Sequence, residues 1–211
     1  MNNLWDMDIE KRKKIMNASF EEFATHGFSN ASTNRIIKRA GISKGLLFYY
    51  FQNKQQLVYF LLEFAIDYVK DHYVNKMDTD IRDFFERYKQ QRSLKHAIYQ
   101  ENPYLFSFLS SYYYQFRNEI ELPTKMGEQL TKLEEDILSK LHDNLDMDLF
   151  RDDMSTREVF TYIKWMLNGY EANLLEEVGN DLASVDWNYY FERDVESIEN
   201  LKKLFYKKEY H

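Results

Sequence analysis

Apolar residues recur three and four positions apart along most of the chain, the spacing that gathers them on one face of a helix. Ile15, Ala18, Ser19, Phe23 and Ala24 make such a face behind Asp8, a candidate N-cap, with Ile9 and Phe20 flanking it and Gly27 as the expected stop. After a loop over 28–32 that ends in the cap candidate Ser32, the stretch Thr33 to Ala40 sets Ile36, Ile37 and Ala40 on one side. Gly41 follows, where a left-handed turn suits a residue without Cβ. The next run, G-I-S-K-G-L-L-F-Y-Y-F-Q-N-K over residues 41–54, fits a strand or a helix on its own. Its neighbours decide: Ser43 can cap a third helix from residue 44 to about 51, and two short helices around a three-residue glycine turn make a helix-turn-helix. Leu47 and Phe51, four apart, anchor that helix, leaving Lys44, Gly45, Leu46, Tyr49 and an edge of Tyr50 outward.

The helical pattern continues from Lys54 to about residue 77, with Leu57, Leu61, Phe64 and Tyr68 along one stripe, and further helices are expected over 79–100, 103–118, 124–143, 155–178 and 187–208. Asn53 with Gln56, and Ser155 with Glu158, are capping boxes. Pro103 suits a helix start, and Gly179 with Asn180 a stop. The segment Y-L-F-S-F-L-S-S-Y-Y-Y-Q-F over 104–116 is apolar all round, as for a helix covered on most sides. With only six glycines and two prolines in 211 residues, the chain reads as all-α.

Composition narrows the setting. There is no cysteine, the first residues have neither the cationic start nor the apolar run of a signal peptide, and no stretch is long and apolar enough to span a membrane, so a soluble, cytoplasmic protein is expected. Charge is uneven: residues 1–54 carry nine Lys and Arg against five Asp and Glu, a balance of +4, within a total of −7, which leaves −11 for residues 55–211. A basic head at 1–54 on an acidic body at 55–211 suits a polyanion at one end only. Lys11, Arg12, Lys13 and Lys14 in the first turns, and Lys54 at the first position of the fourth helix, stand where the helix dipole disfavours cations, and an external anion would account for them.

The exposed types have uses at a nucleic-acid duplex. Serine and lysine opening a helix beside a glycine permit close approach to phosphate, and the Tyr49 and Tyr50 hydroxyls can reach phosphate while their rings lie on sugar or thymine methyl. The pattern of Ile15, Ala18, Phe23, Gly27, Phe28, Ser32, Ile36, Ala40-Gly41-Ile42-Ser43-Lys44-Gly45, Leu47, Tyr49, Phe51, Lys54 and Leu57 resembles the DNA-binding region of the tetracycline-repressor (TetR) family of bacterial transcription factors. The resemblance covers roughly a fifth of the chain. It implies DNA contacts from Thr33, Ser43, Lys44, Gly45, Tyr49, Tyr50 and Lys54. It also implies an N-terminal three-helix helix-turn-helix head joined to a larger helical body that binds a ligand and dimerises. Two residues depart from the family pattern: Leu46, where a polar or small residue is usual, and Tyr50, where histidine is frequent. Leu46 cannot hydrogen-bond a base edge, so any reading there is apolar.

By the same resemblance the segment 104–116 lines a cavity, with Phe106, Tyr113, Phe116, Trp165 and Met166 as candidates against ordinary core packing. The high aromatic content and the acidic body point to a hydrophobic effector, with a cationic one admitted. The last two helices, about 155–208, are expected to form the homodimer through Val159, Ile163, Met166, Leu167, Tyr170, Leu174, Ile198, Leu201 and Leu204. A dimer would read a palindromic operator. The expectation is a ligand-responsive regulator, a repressor released by a small molecule. Its alternatives are a helical protein-interaction module with a degenerate helix-turn-helix, and an all-α enzyme. Against the enzyme, the five histidines are scattered, with no metal spacing, phosphate loop or nucleophile elbow, so no cofactor or metal is expected.

Overall fold

The computed structural model describes residues 7–179, 182 and 185–210. Its helices are α1 (Ile9–Asn30), α2 (Thr33–Ala40), α3 (Lys44–Tyr50), α4 (Lys54–His72), α5 (Phe84–Glu101), α6 (Leu105–Ser111), α7 (Thr124–His142), α8 (Thr156–Val178) and α9 (Trp187–Phe205). The fold is all-α; the described residues hold no strand, only an isolated antiparallel bridge between Phe150 and Tyr206. They group into two compact units, one of residues up to Lys70 with Glu101–Leu133, the other of Asp71–Gln100 with the residues from Glu134 onward.

In the first unit, Asp8 caps α1 by accepting from the Lys11 amide at 3.1 Å. Gly27 breaks the helix as its residue type suggests, at φ 67° and ψ −173°, but the chain then resumes helical geometry to Asn30 instead of ending there. Phe20 and Phe23 of α1, both fully buried, close on Phe108 of α6 at ring distances of 5.2 and 6.3 Å. Each such side chain contributes about 1.5–3 kcal/mol by leaving water. The expected 103–118 helix is divided: α6 is followed by a π-helical turn, Tyr112–Phe116, closed by the Arg117 amide donating to the Tyr112 carbonyl at 2.8 Å.

In the second unit, Phe84, Phe85, Phe150, Val159, Ile163, Ile198, Leu201, Phe205 and Tyr206 form one core. The α5 helix starts at Phe84, not residue 79, because the Asp83 carboxylate caps it, accepting from the amides of Phe85 and Glu86 at 2.9 and 3.1 Å. Arg87, fully buried, donates to the carbonyls of Thr79, Ile81, Lys140, Leu141 and Asp143, tying the end of α7 to the loop before α5. Lys202 bonds both Asp83 and Glu86 at 2.9 Å, and Tyr206 donates to Asp83 at 2.8 Å. That pairing draws the chain out of the helix after Phe205, short of the expected residue 208. The expected stop at Asn180 lies outside the described residues.

Candidate nucleic-acid interface

The α2–turn–α3 geometry follows from three local choices. Gly41 sits at φ 63°, ψ 38°, and the Ile42 amide reaches back to the Ile37 carbonyl at 3.2 Å, the closing bond of a Schellman turn. The Ser43 hydroxyl caps α3 by accepting from the Leu46 amide at 3.2 Å. Leu47 and Phe51 are buried, pinning a helix of seven residues too short to hold by itself.

The opposite side of α3 is open. Ser43, Lys44 and Gly45 are exposed, Tyr49 is 60% exposed, and Tyr50 is half-buried with its ring edge-on to Tyr49 at 5.0 Å. The Lys44 ammonium lies 5.9 Å from the Phe48 ring. A Cβ added at Gly45 would meet nothing within 4 Å. The chain's own packing therefore does not require glycine there, although glycine inside a helix costs up to about 1 kcal/mol relative to alanine. Thr33, at the first position of α2, is half-buried. Six of the seven residues suggested by the sequence thus lie within the α2–turn–α3 motif or at its caps.

Lys54 is placed differently. Asn53 caps α4, accepting from the Gln56 amide at 2.9 Å, and Lys54 does open that helix. Its ammonium, however, donates to the carbonyls of Phe28, Ala31 and Ser29 at 2.5, 3.1 and 3.2 Å and lies 4.6 Å from the Phe28 ring. All three bonds go to carbonyls at the C-terminal end of α1, so the charge that the α4 dipole disfavours is balanced by those carbonyl dipoles.

Two acidic residues that the sequence did not mark also shape this face. Glu22, buried on α1, accepts from the Ser32 amide at 2.7 Å and from the Arg35 guanidinium at 2.9 and 3.0 Å. Those hydrogen bonds push the Arg35 guanidinium above its ordinary pKa. Glu119, beyond the π turn, accepts from the Ser29 amide and hydroxyl at 2.9 and 2.6 Å. Both fasten the α1–α2 connection over separations of 10–13 and 90 residues, and periodicity carries no signal for pairs that distant in sequence.

The five candidate effector residues are scattered. Phe116 is fully buried beside Phe108 and Tyr112, Phe106 and Tyr113 are half-buried, and the Tyr113 hydroxyl donates to the Leu130 carbonyl at 3.2 Å. Trp165 is 64% and Met166 43% exposed. Both stand on the outer side of α8, so the expectation that they line a cavity gives way to surface positions. Periodicity identifies α8 as a helix but carries no information on which of its apolar faces turns inward. In the second unit α5, α7 and α8 instead border a cleft of about 830 Å³ whose apolar walls include Phe84, Tyr88, Leu141, Phe160, Ile163 and Leu167.

Residues 15–59 match the family described as "Bacterial regulatory proteins, tetR family". The chain is 26% identical over 178 residues to an HTH-type transcriptional regulator of Staphylococcus aureus (strain bovine RF122 / ET3-1), an alignment covering 77% of this chain and 93% of that one. In fold it is similar to a TetR family transcriptional regulator from Chloroflexus aurantiacus J-10-FL, with a TM-score of 0.61, 17% identity and 97% of each chain covered. A second solved structure, a TetR family transcription regulator from Marinobacter aquaeolei VT8, aligns with a TM-score of 0.54 and 19% identity over 94% of this chain and 97% of that one. Family and fold are those of transcriptional regulators, not of enzymes. The match over residues 15–59, a relative aligned over most of its length and the all-α architecture together support a TetR-family transcriptional regulator.

Proposed function

We propose that the protein is a ligand-responsive repressor that binds a palindromic operator as a homodimer, acting in the cytoplasm. The observation that carries this reading is the two-sided α3, with Leu47 and Phe51 buried and Ser43, Lys44, Gly45 and Tyr49 exposed on the other side. Lys44 and the Tyr49 and Tyr50 hydroxyls would contact phosphate, Gly45 would allow the DNA backbone close, and Thr33 would touch it from the start of α2. Lys54 would act indirectly by holding the α1–α2 connection in place.

One short helix spans too few base pairs for useful selectivity, and two set about 34–36 Å apart read a palindrome. The exposed Tyr162, Trp165 and Met166 on α8 supply an apolar face for the second copy, next to Gly169, where an added Cβ would meet nothing. The effector would occupy the α5–α7–α8 cleft. A ligand that favours the non-binding conformation by about 1–3 kcal/mol lowers operator occupancy some 5- to 150-fold. The test is selection of bound fragments from the source genome followed by affinity measured against salt. A palindromic fragment bound by a dimer supports the proposal, whereas absence of duplex binding at low salt favours a protein-interaction module.

A further inference from the structure

We infer that the effector is a monomeric amphiphilic organic anion; this rests on the reading that the α5–α7–α8 cleft is the effector site. The α8 helix presents two adjacent stripes to that cleft. Phe160, Ile163 and Leu167 form its apolar floor, while Arg157, Thr161, Lys164 and Asn168, spaced four, three and four apart, form a polar rim. Across from them α7 contributes Leu138 and His142, the imidazole edge-on to Phe160 at 5.7 Å with Nδ1 3.0 Å from the Leu138 carbonyl oxygen.

The charge of this lining is opposite to that of the chain. The cleft contains Arg157 and Lys164 and no Asp or Glu, in a protein of net charge −7. Elsewhere in the same unit Lys89, Arg92, Arg151, Arg193 and Lys202 are each paired with carboxylates. Arg157 and Lys164 have no acidic partner among the described residues. A hydrocarbon or aromatic body gains by leaving water against the floor, and a carboxylate or similar head reaches the rim cations without full desolvation. A cationic ligand would meet two like charges and no counter-charge. The acidity of the whole body, which alone admits a cation, is thus the wrong guide to this cleft.

A second copy of the chain does not compete for it. Successive helical residues turn by about 100°, which sets Tyr162, Trp165 and Gly169 on the side of α8 away from Phe160, Ile163 and Leu167.

The probes are dodecanoate, 1-dodecanol and dodecyltrimethylammonium, each below its micelle-forming concentration, titrated into the full-length protein. A Leu138→Trp substitution at the half-exposed rim reports occupancy by fluorescence. Dodecanoate should bind roughly tenfold tighter than the alcohol and tighter still than the ammonium. Arg157→Glu with Lys164→Glu, its fold checked by its unfolding midpoint, should reverse the order in favour of the ammonium. If the alcohol or the ammonium matches dodecanoate while the reporter responds, the anion inference falls and the effector cleft stands. If dodecanoate moves the reporter but does not respond to charge reversal, the anion inference falls alone; if no probe moves the reporter, both fall.

Discussion

The Lys54 ammonium stands 2.5 Å from the Phe28 carbonyl oxygen and holds the Ser29 and Ala31 carbonyls as well, so this lysine is first a clasp on the end of α1. Lys54→Ala should cost about 1–2 kcal/mol of stability by leaving those carbonyls short of donors. Operator affinity should fall with it, yet the slope of log affinity against log salt should change by much less than one phosphate's worth, about 0.9. Urea unfolding and a salt series check both halves.

Lys44 is the contrasting case. Its charge is exposed on α3, so Lys44→Ala should leave stability within about 0.5 kcal/mol. The salt slope should drop by about one unit, with affinity lost nearly uniformly over operator variants.

Gly45→Ala separates folding from function. The added methyl meets nothing in the chain and improves helix propensity, which should stabilise the protein by about 0.5–1 kcal/mol. The same methyl would keep the DNA backbone away, and affinity should fall roughly tenfold, a difference of about 1.4 kcal/mol. A stabler protein with undiminished affinity would remove Gly45 from the interface.

Trp165→Glu places a charge on the exposed face of α8. Because the side chain is 64% exposed, the fold of the single chain should persist while the dimer dissociates, as measured by light scattering across a concentration series.

Acid should weaken the second unit through Asp83 and Glu86. Burial acts to raise both carboxylates, but hydrogen bonds from Lys202 to Asp83, and from Lys89 and Lys202 to Glu86, outweigh it and leave each below its ordinary value. Groups with lowered native pKa values bind protons more weakly folded than unfolded. Their contribution is therefore complete above the ordinary values of 3.8 and 4.5 and lost as pH falls through the lowered ones. Lys202→Met should lower the urea midpoint at pH 7 more than at pH 3.

What could be read from the sequence was what depends on neighbours three or four residues apart. The Asp8, Ser43 and Asn53 caps, the Gly41 turn and the joint burial of Leu47 and Phe51 all have that range. The Lys54 clasp spans 23 to 26 residues and the Glu22–Arg35 pair 13, and nothing in a periodic pattern says that such groups meet. The same limit explains Trp165 and Met166. Apolar residues on several faces of α8 identify a helix with more than one partner, but the cleft wall and the outer face emerge only once α5 and α7 are in position.

Arg87 imposes an order on how acid takes the second unit apart. The hydrogen bonds that hold the Arg87 guanidinium all go to carbonyls, which do not titrate in the acid range, whereas the lysine–carboxylate ties between α5 and α9 discharge as protons arrive. Hydrogen exchange at low pH should accordingly find the amides of α9 opening while those where α5 meets the end of α7 stay protected.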